Sequence, residues 1–319
     1  MKPFLRNTTG VAVRDPLPWS ALAEVAESVE ETGYAALFVP EITGREAFSQ
    51  LSALAGVTER IRLGTGVVAM DSRDPVVTAM GAATVHERSG GRMILGIGTG
   101  EAGRGALDRL RAVVLAIKAL LAGEAVELNG ERTRLSLALG APPPVWVSAL
   151  GPKAMRLAGE VADGALLNWC PPERVAFARD RVREGAEAAG RDPAAIAIGV
   201  YVRACVGQDE PAALAALREA AGRYASYRAY SRQLADVGLG AEAEAAAAAY
   251  REGRPEGVPE TLVRAVCLLG EASGALTGLG AYRDAGADLP VVYPVRCRDP
   301  LSSILGTVFA LAPSPVVAP

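Results

Sequence analysis

Two apolar segments flank one helical segment within residues 61–101, and this order constrains the fold more than any other feature of the chain. The apolar segments span residues 61–69 and 93–98, and each is typical of a strand buried on both faces of a parallel sheet. Asp74 and Pro75 favour a helix start between them, because aspartate caps a first turn and proline loses no hydrogen bond there. The unit is therefore predicted to be strand, helix, strand, with parallel strands and a right-handed crossover.

The same alternation of strands and helices continues along all 319 residues. We predict eight main strands, at residues 4–8, 35–39, 61–69, 93–98, 145–149, 165–168, 196–204 and 290–294. Helices are predicted between them, including one over residues 259–269 near the end of an alanine-rich region. Eight such units predict an α/β fold, a (β/α)8 TIM barrel, and the length fits a single domain over residues 1–319.

Two shorter patterns refine this architecture. Residues 126–137 alternate around Asn129 and Gly130, which predicts a small β-hairpin insertion before strand 5. An open doubly wound sheet is the main alternative to the barrel, because Gly96 and Gly98 match part of its nucleotide-binding motif. Glu101 stands where that motif has a third small residue, and no ribose-binding acid follows convincingly, so the barrel is favoured.

Composition excludes several classes of function. The net charge of -3, without a continuous basic patch, gives no indication of nucleic acid binding. The sequence contains no run of about 18 apolar residues, so no membrane span is predicted. The first residues lack the apolar stretch of a signal peptide. We predict that the four cysteines, Cys170, Cys205, Cys267 and Cys297, are free thiols in a reducing cytoplasm. No metal site is expected, because no CxxC pair or zinc-ligand spacing occurs among them.

A single histidine, His86, lies within a predicted helix, away from the strand ends where ligands of a barrel bind. We interpret His86 as a packed or surface residue. Catalytic triads with histidine, cysteine–histidine pairs and HExxH zinc sites are therefore excluded. The chemistry is expected to come from a bound cofactor instead.

Two long blocks of sequence are similar to one known group of enzymes. The first contains GTGVV at 64–68, RDP at 73–75, SGGR at 89–92 and GIGTGE at 96–101. The second contains PPVWVSALGPK at 143–153 and LAGEVADG at 157–164. Both blocks resemble the luciferase-like monooxygenase superfamily, and within it the coenzyme F420-dependent oxidoreductase branch that includes the methylenetetrahydromethanopterin reductases.

This resemblance implies a luciferase-like barrel that binds coenzyme F420 and transfers a hydride between the deazaflavin and a small organic substrate. It also implies a homodimer. An FMN-dependent monooxygenase that uses O2 is an alternative on the same barrel. A non-catalytic flavin-binding protein is a second alternative, because a family resemblance fixes a fold better than an activity.

The resemblance also indicates residues that contact the cofactor. Gly66 and Val67 correspond to a bulge with a non-proline cis peptide that backs the ring of the cofactor. The turn after strand 5 corresponds to the site of the cofactor phosphate, and free N–H groups at a helix start suit an anion. The predicted cofactor-binding residues are Gly66, Val67, Gly98, Thr99, Ala149, Leu150, Gly151, Pro152 and Lys153.

Two carboxylates are the candidate catalytic residues. Glu101 follows strand 4 and ends the GTGE run, where an acid serves in proton transfer in the sugar-phosphate dehydrogenases that this run resembles. A carboxylate at a helix start is the structural alternative for Glu101. Glu41 occupies a position that is usually acidic in the family and often followed by histidine, but Ile42 follows here. That departure argues against sugar-phosphate dehydrogenase activity.

Other candidates rest on the position of strand ends in a barrel. These positions nominate Asn7, Thr8, Ser148, Asn168, Trp169 and Tyr293, of which Trp169 and Tyr293 are candidates for the wall of a substrate pocket. Three loop arginines, Arg45, Arg73 and Arg104, are interpreted as solvated, with contact to an acidic cofactor tail as the alternative.

Overall fold

Eight parallel strands close into a barrel in the computed structural model, which describes residues 7–14, 17–100 and 103–313. Each strand pairs with its neighbours in chain order, and the eighth pairs with the first, so the barrel has no open edge. The strands are β1 Gly10–Ala12, β2 Ala36–Val39, β3 Arg62–Thr65, β4 Met93–Gly98, β5 Val145–Ser148, β6 Gly164–Asn168, β7 Ala197–Val206 and β8 Leu289–Pro294. The predicted (β/α)8 barrel is confirmed.

Helices connect the strands and cover the outside of the barrel. Asp74 accepts a hydrogen bond from the Val76 N–H at 2.7 Å, so the predicted helix start after β3 is confirmed. The helices are α1 Trp19–Glu31, α2 Ala47–Leu54, α3 Pro75–Arg88, α4 Ala106–Leu121, α5 Pro152–Val161, α6 Pro172–Ala188, α7 Glu210–Ala225, α8 Arg228–Ala235, α9 Gly240–Arg251, α10 Glu260–Val266, α11 Ala272–Asp284 and α12 Pro300–Ala310.

Large aromatic side chains fill the barrel interior. Phe38 and Trp146 are fully buried there, with their ring centroids 6.0 Å apart. Glycines on neighbouring strands provide the space, because a Cβ atom at Gly64 would overlap the Phe38 ring and one at Gly164 or Gly199 would overlap Trp146.

The prediction of the first strand is wrong. It was expected at residues 4–8, whereas β1 lies at Gly10–Ala12, and residues 4–6 are outside the described part of the chain. The buried apolar residues after Gly10 pair with β2 and β8, while Asn7 and Thr8 precede the strand. Asn7 and Thr8 therefore stand at the amino end of β1, opposite to the ligand-binding end for which they were nominated.

The helix predicted over residues 259–269 is also wrong in its last part. Helix α10 ends at Val266, and Cys267–Gly270 forms a short parallel strand beside β7. Pairing of β7 with β6 ends at Tyr201, which leaves the edge of Arg203–Val206 open on that side. Buried backbone groups need partners, and the Cys267–Gly270 strand supplies them.

Two smaller predictions are confirmed. The hairpin pairs Val126–Leu128 with Glu131–Thr133, and Asn129 and Gly130 at its turn have φ angles of 53° and 82°. All four cysteines are free thiols.

Within residues 7–14, 17–100 and 103–313, no helix has the length and apolar character needed to span a membrane.

Candidate active site

Two adjoining cavities lie at the carboxyl end of the barrel. The first, here called the cis-peptide cavity, has a volume of about 220 Å³ and is lined by residues that include Glu41, Gly66, Val67, Ser148, Leu150 and Leu166. The second, here called the arginine cavity, has a volume of about 430 Å³ and is lined by residues that include Arg14, Arg203, Glu219, Arg223, Tyr224 and Arg296. Arg203, Tyr224 and Tyr293 line both cavities, so the two form one continuous cleft.

A cis peptide bond joins Gly66 and Val67, as the family resemblance implied. It lies between β3 and the short strand Val68–Ala69, which pairs with β4. Tyr201 on β7 donates a hydrogen bond to the Gly66 carbonyl at 3.3 Å. A Cβ atom at residue 66 would overlap the Tyr201 hydroxyl, so the site requires glycine. The bulge thus presents bare backbone to the cis-peptide cavity.

Tyrosine hydroxyls beside this bulge stay protonated. Burial raises the pKa of Tyr201 well above its ordinary value. Burial likewise raises the pKa of Tyr230, to about 12, and the Tyr230 hydroxyl accepts a hydrogen bond from the Asn168 amide at 2.8 Å. The wall of the cleft therefore offers neutral hydroxyl groups at physiological pH.

The turn after β5 opens onto the same cavity. Ser148 and Leu150 line it, and no described side chain caps the start of α5, whose N-cap is Gly151. A Cβ atom at Gly151 would meet nothing within 4 Å, so this turn borders open space. Ala149 is buried, Pro152 is half-buried and Lys153 is exposed. The predicted phosphate turn therefore lies at the edge of the cleft, and Leu150 is its residue that faces the cavity.

Glu41 is held by an arginine rather than free in the cleft. Arg73 donates to both Glu41 carboxylate oxygens, at 2.8 and 2.7 Å, and to Glu46 at 2.8 Å. The Ala47 N–H also donates to Glu41, at 2.9 Å. The hydrogen bond with Glu41 is the main cause that raises the pKa of Arg73. The interpretation of Arg73 as a solvated residue is therefore wrong, since Arg73 fixes a carboxylate in the cavity wall.

The remaining predicted site residues follow β4. Gly98 ends that strand and is buried, and a Cβ atom there would crowd Val67 and the Ser148 hydroxyl. Thr99 is half-buried. Glu101, the first catalytic candidate, lies outside the described residues, so its role stays a prediction. Of the predicted set, Glu41, Gly66, Val67 and Leu150 share one cavity.

Arg203 on β7 is the most prominent side chain of the arginine cavity. It is only 4% exposed, and its guanidinium carbon lies 3.8 Å from the Tyr293 ring centroid. The rings of Trp169 and Tyr224 lie 4.8 and 5.3 Å from the same atom. Trp169 and Tyr293 line this cavity, which agrees with their interpretation as candidate pocket residues.

Sequence reasoning missed Arg203, Tyr201 and Tyr224. The signal for the first two was present, because β7 alternates and its outward apolar residues are Ile198, Val200 and Val202. Tyr201 lies between them and joins the cluster inside the barrel, and Arg203 follows two residues later on the same face. Tyr224 had no such signal, since it reaches the cleft from α7.

Similarity to known proteins agrees with this geometry. The family model of the luciferase-like monooxygenases matches residues 2–289. The chain belongs to this family. A luciferase-like relative, the 5,10-methylenetetrahydromethanopterin reductase of Methanolobus tindarius, is 33% identical over 222 residues, which cover 65% of this chain and 68% of that protein.

Solved luciferase-like structures share the fold. A coenzyme F420-dependent tetrahydromethanopterin reductase from Methanopyrus kandleri superimposes with a TM-score of 0.79 at 21% identity, over 96% of this chain and 98% of that one. An F420-dependent secondary alcohol dehydrogenase in complex with an F420-acetone adduct superimposes with a TM-score of 0.75 at 18% identity, over 95% and 99%. At these identities the likeness establishes the luciferase-like barrel.

Proposed function

We propose that the protein is an F420-dependent oxidoreductase that transfers a hydride between the deazaflavin and a small organic substrate. The observation that carries the proposal is the cis-peptide cavity, which is lined by the cis-linked Gly66 and Val67 together with Leu150 and Leu166. A flat ring suits an apolar wall of this kind, and a side chain at residue 66 would displace Tyr201, which lines the same cavity. The F420-dependent relatives named above support this choice of cofactor over FMN.

The residues present fit this cofactor. Gly66 and Val67 would back the ring, and the turn from Ala149 to Lys153 would hold the phosphate through the open N–H groups at the start of α5. Gly98 and Thr99 would border the same site. When bound, coenzyme F420 supplies a hydride donor or acceptor at C5 of the deazaflavin.

The protein's own groups would position the substrate and move one proton. Glu101 would take the proton that leaves a substrate oxygen during oxidation, and would return it in the reverse reaction. Glu41 would act as a fixed carboxylate, because Arg73 holds both of its oxygens. The neutral hydroxyls of Tyr201 and Tyr230 would hydrogen-bond polar atoms in the cleft without changing its charge.

Equilibrium binding tests the choice of cofactor. Purified protein would be titrated with coenzyme F420 and, in parallel, with FMN, by fluorescence. We expect F420 to bind and FMN to bind at least about tenfold more weakly, a difference of about 1.4 kcal/mol. Tighter binding of FMN would replace the proposal with an oxygenase, to be sought through substrate-dependent O2 uptake. Binding of F420 without turnover of any alcohol or unsaturated compound would favour the non-catalytic alternative.

We also retain the proposals of one domain over residues 1–319, a homodimer and a cytoplasmic location, which rest on sequence and family resemblance. Sedimentation equilibrium would test the dimer. A mass of one chain at every protein concentration would contradict it.

A further inference from the structure

We infer that the arginine cavity binds an anionic group, a carboxylate or a phosphate, carried by the organic substrate. This inference rests on the proposed function, because it assigns the neighbouring cis-peptide cavity to the cofactor. The juxtaposition that carries it is the buried Arg203, which has no ion pair among the described residues. Arg203 lies beside three further arginines and next to the wall that would back the cofactor ring.

Arg203 is a buried charge whose partners are all neutral. One guanidinium nitrogen donates to the Asn168 side-chain oxygen at 2.6 Å, and another to the Tyr224 hydroxyl at 3.5 Å. No carboxylate within residues 7–14, 17–100 and 103–313 pairs with it. Aromatic faces and amides offset only part of the free energy that a buried charge costs. An anion in the cavity would supply the missing partner.

Other arginines give the cavity a net positive charge. Arg14, Arg223 and Arg296 line it together with Arg203, against a single described carboxylate, the exposed Glu219. Three of these arginines act electrostatically on the Tyr293 hydroxyl. Burial raises the pKa of Tyr293, and the positive charges of Arg203, Arg14 and Arg223 each act to lower it. A fork of guanidinium donors in a partly closed site is the usual arrangement for carboxylate and phosphate recognition.

The position of the cavity favours the substrate over the acidic tail of the cofactor. The predicted phosphate turn follows β5 and contacts the cis-peptide cavity through Ser148 and Leu150, which do not line the arginine cavity. The arginine cavity lies instead among residues in or after the carboxyl ends of β1, β2, β6, β7 and β8. A substrate whose anionic group meets Arg203 would present its reactive carbon toward the shared wall, next to Gly66 and Val67.

Matched small ligands test the inference by calorimetry. Benzoate and phenyl phosphate provide the two anionic groups, and benzamide is the neutral ligand of similar shape. Each would be titrated into F420-loaded wild-type protein, Arg203→Met, Arg203→Lys and Arg264→Met. Arg264 is an exposed arginine on α10 that pairs with Glu210 and Glu260, so its variant loses the same charge outside the cleft.

We expect one of the two anions to bind at least about tenfold tighter than benzamide, and Arg203→Met to weaken that anion by about ten- to a hundredfold. Preference for benzoate would assign a carboxylate, and preference for phenyl phosphate would assign a phosphate. Arg203→Lys should restore part of the affinity, and Arg264→Met should leave it unchanged. Equal binding of all three ligands, or unchanged anion binding in Arg203→Met, would overturn the inference.

Two controls separate this inference from the proposed function. F420 binding is measured in the same samples, so failure to bind F420 counts against the proposed function and leaves the anion result readable in unloaded protein. If F420 displaces benzoate or phenyl phosphate competitively, the arginines hold the cofactor tail and the inference is overturned. Should Arg203→Met fail to fold, Arg223→Met on α7 provides the test, with an expected loss of about two- to tenfold.

Discussion

The two cavities of the cleft, the cis-peptide cavity and the arginine cavity, differ in the residues that line them. The cis-peptide cavity shares Arg203, Tyr224 and Tyr293 with its neighbour, and its own residues include the Gly66–Val67 bulge and small or apolar side chains at the ends of β5 and β6, with Glu41 held by Arg73. The arginine cavity consists of long charged and aromatic side chains, several of them on α7. In the proposed function, backbone would fix the position of the cofactor ring, whereas side chains would determine recognition of the substrate. The contrast predicts that variants in the cis-peptide cavity change cofactor affinity, whereas variants in the arginine cavity change substrate affinity.

The largest effect is expected at Glu101. Glu101→Ala removes the proposed proton acceptor and leaves the arginines of the cleft and the Gly66–Val67 bulge unchanged in sequence. We expect kcat for F420 reduction to fall by about a hundred- to ten-thousandfold, while F420 binding stays unchanged. The measurement is the loss of oxidised F420 absorbance with the best alcohol from a carboxylate-bearing panel. Unchanged turnover would remove Glu101 from the mechanism.

Gly66→Ala should weaken F420 binding in the cis-peptide cavity without weakening anion binding in the arginine cavity. The added methyl group would overlap the Tyr201 hydroxyl, so we expect the free energy of unfolding to fall by about 1–3 kcal/mol. F420 affinity should fall by at least about tenfold, or about 1.4 kcal/mol, and benzoate affinity should change little. Gly140→Ala, in an exposed loop with open space around it, is the matched control. Equal loss of both ligands would show that the two cavities do not act separately.

Burial of the tyrosines in the cleft predicts a loss of stability at alkaline pH. The pKa of Tyr230 is about 12 in the folded protein against 10.0 ordinarily, so the unfolded chain ionises first as the pH rises. Stability is therefore complete below pH 10 and falls between pH 10 and about 12, by up to about 1.4 kcal/mol per pH unit. Urea unfolding of wild type and Tyr230→Phe at several pH values gives the slopes. Parallel slopes would contradict this contribution of Tyr230.

The smallest effect should come from the one described carboxylate of the arginine cavity. Glu219→Gln raises the positive charge there, and we expect affinity for benzoate or phenyl phosphate to rise by about two- to fivefold at low salt. The gain should shrink as salt screens the exposed charge. Glu244→Gln, at an exposed position of α9, is the control. A fall in anion affinity on Glu219→Gln would place the anion elsewhere.

The cis-peptide cavity could be predicted from the sequence better than the arginine cavity. The bulge and the turn after β5 lie in short local motifs that resemble those of the family, so neighbours along the chain were enough to predict the cis peptide and the start of α5. Their role in cofactor binding stays a prediction. The prediction failed at Asn7 and Thr8 because the polar residues before Gly10 resembled a strand end, whereas the register with β2 places the strand after them.

The arginine cavity depends on contacts between distant parts of the chain. Asn168 lies 35 residues before Arg203 and Tyr224 lies 21 residues after it, on different elements. No local pattern indicates that an arginine in an alternating strand will meet these groups. The Cys267–Gly270 strand was missed for a related reason, since its only described partner is the carboxyl-terminal half of β7.

Helices α7, α9 and α10 pack around a hydrophobic cluster that includes Leu217, Ala246, Leu262 and Val263 and that meets the barrel at Cys205 on β7. The segment that carries Arg223 and Tyr224 to the cleft therefore does not share its packing with the strands that carry the Gly66–Val67 bulge. Directed evolution toward new substrates should accordingly tolerate libraries on α7 without loss of the barrel or of cofactor binding.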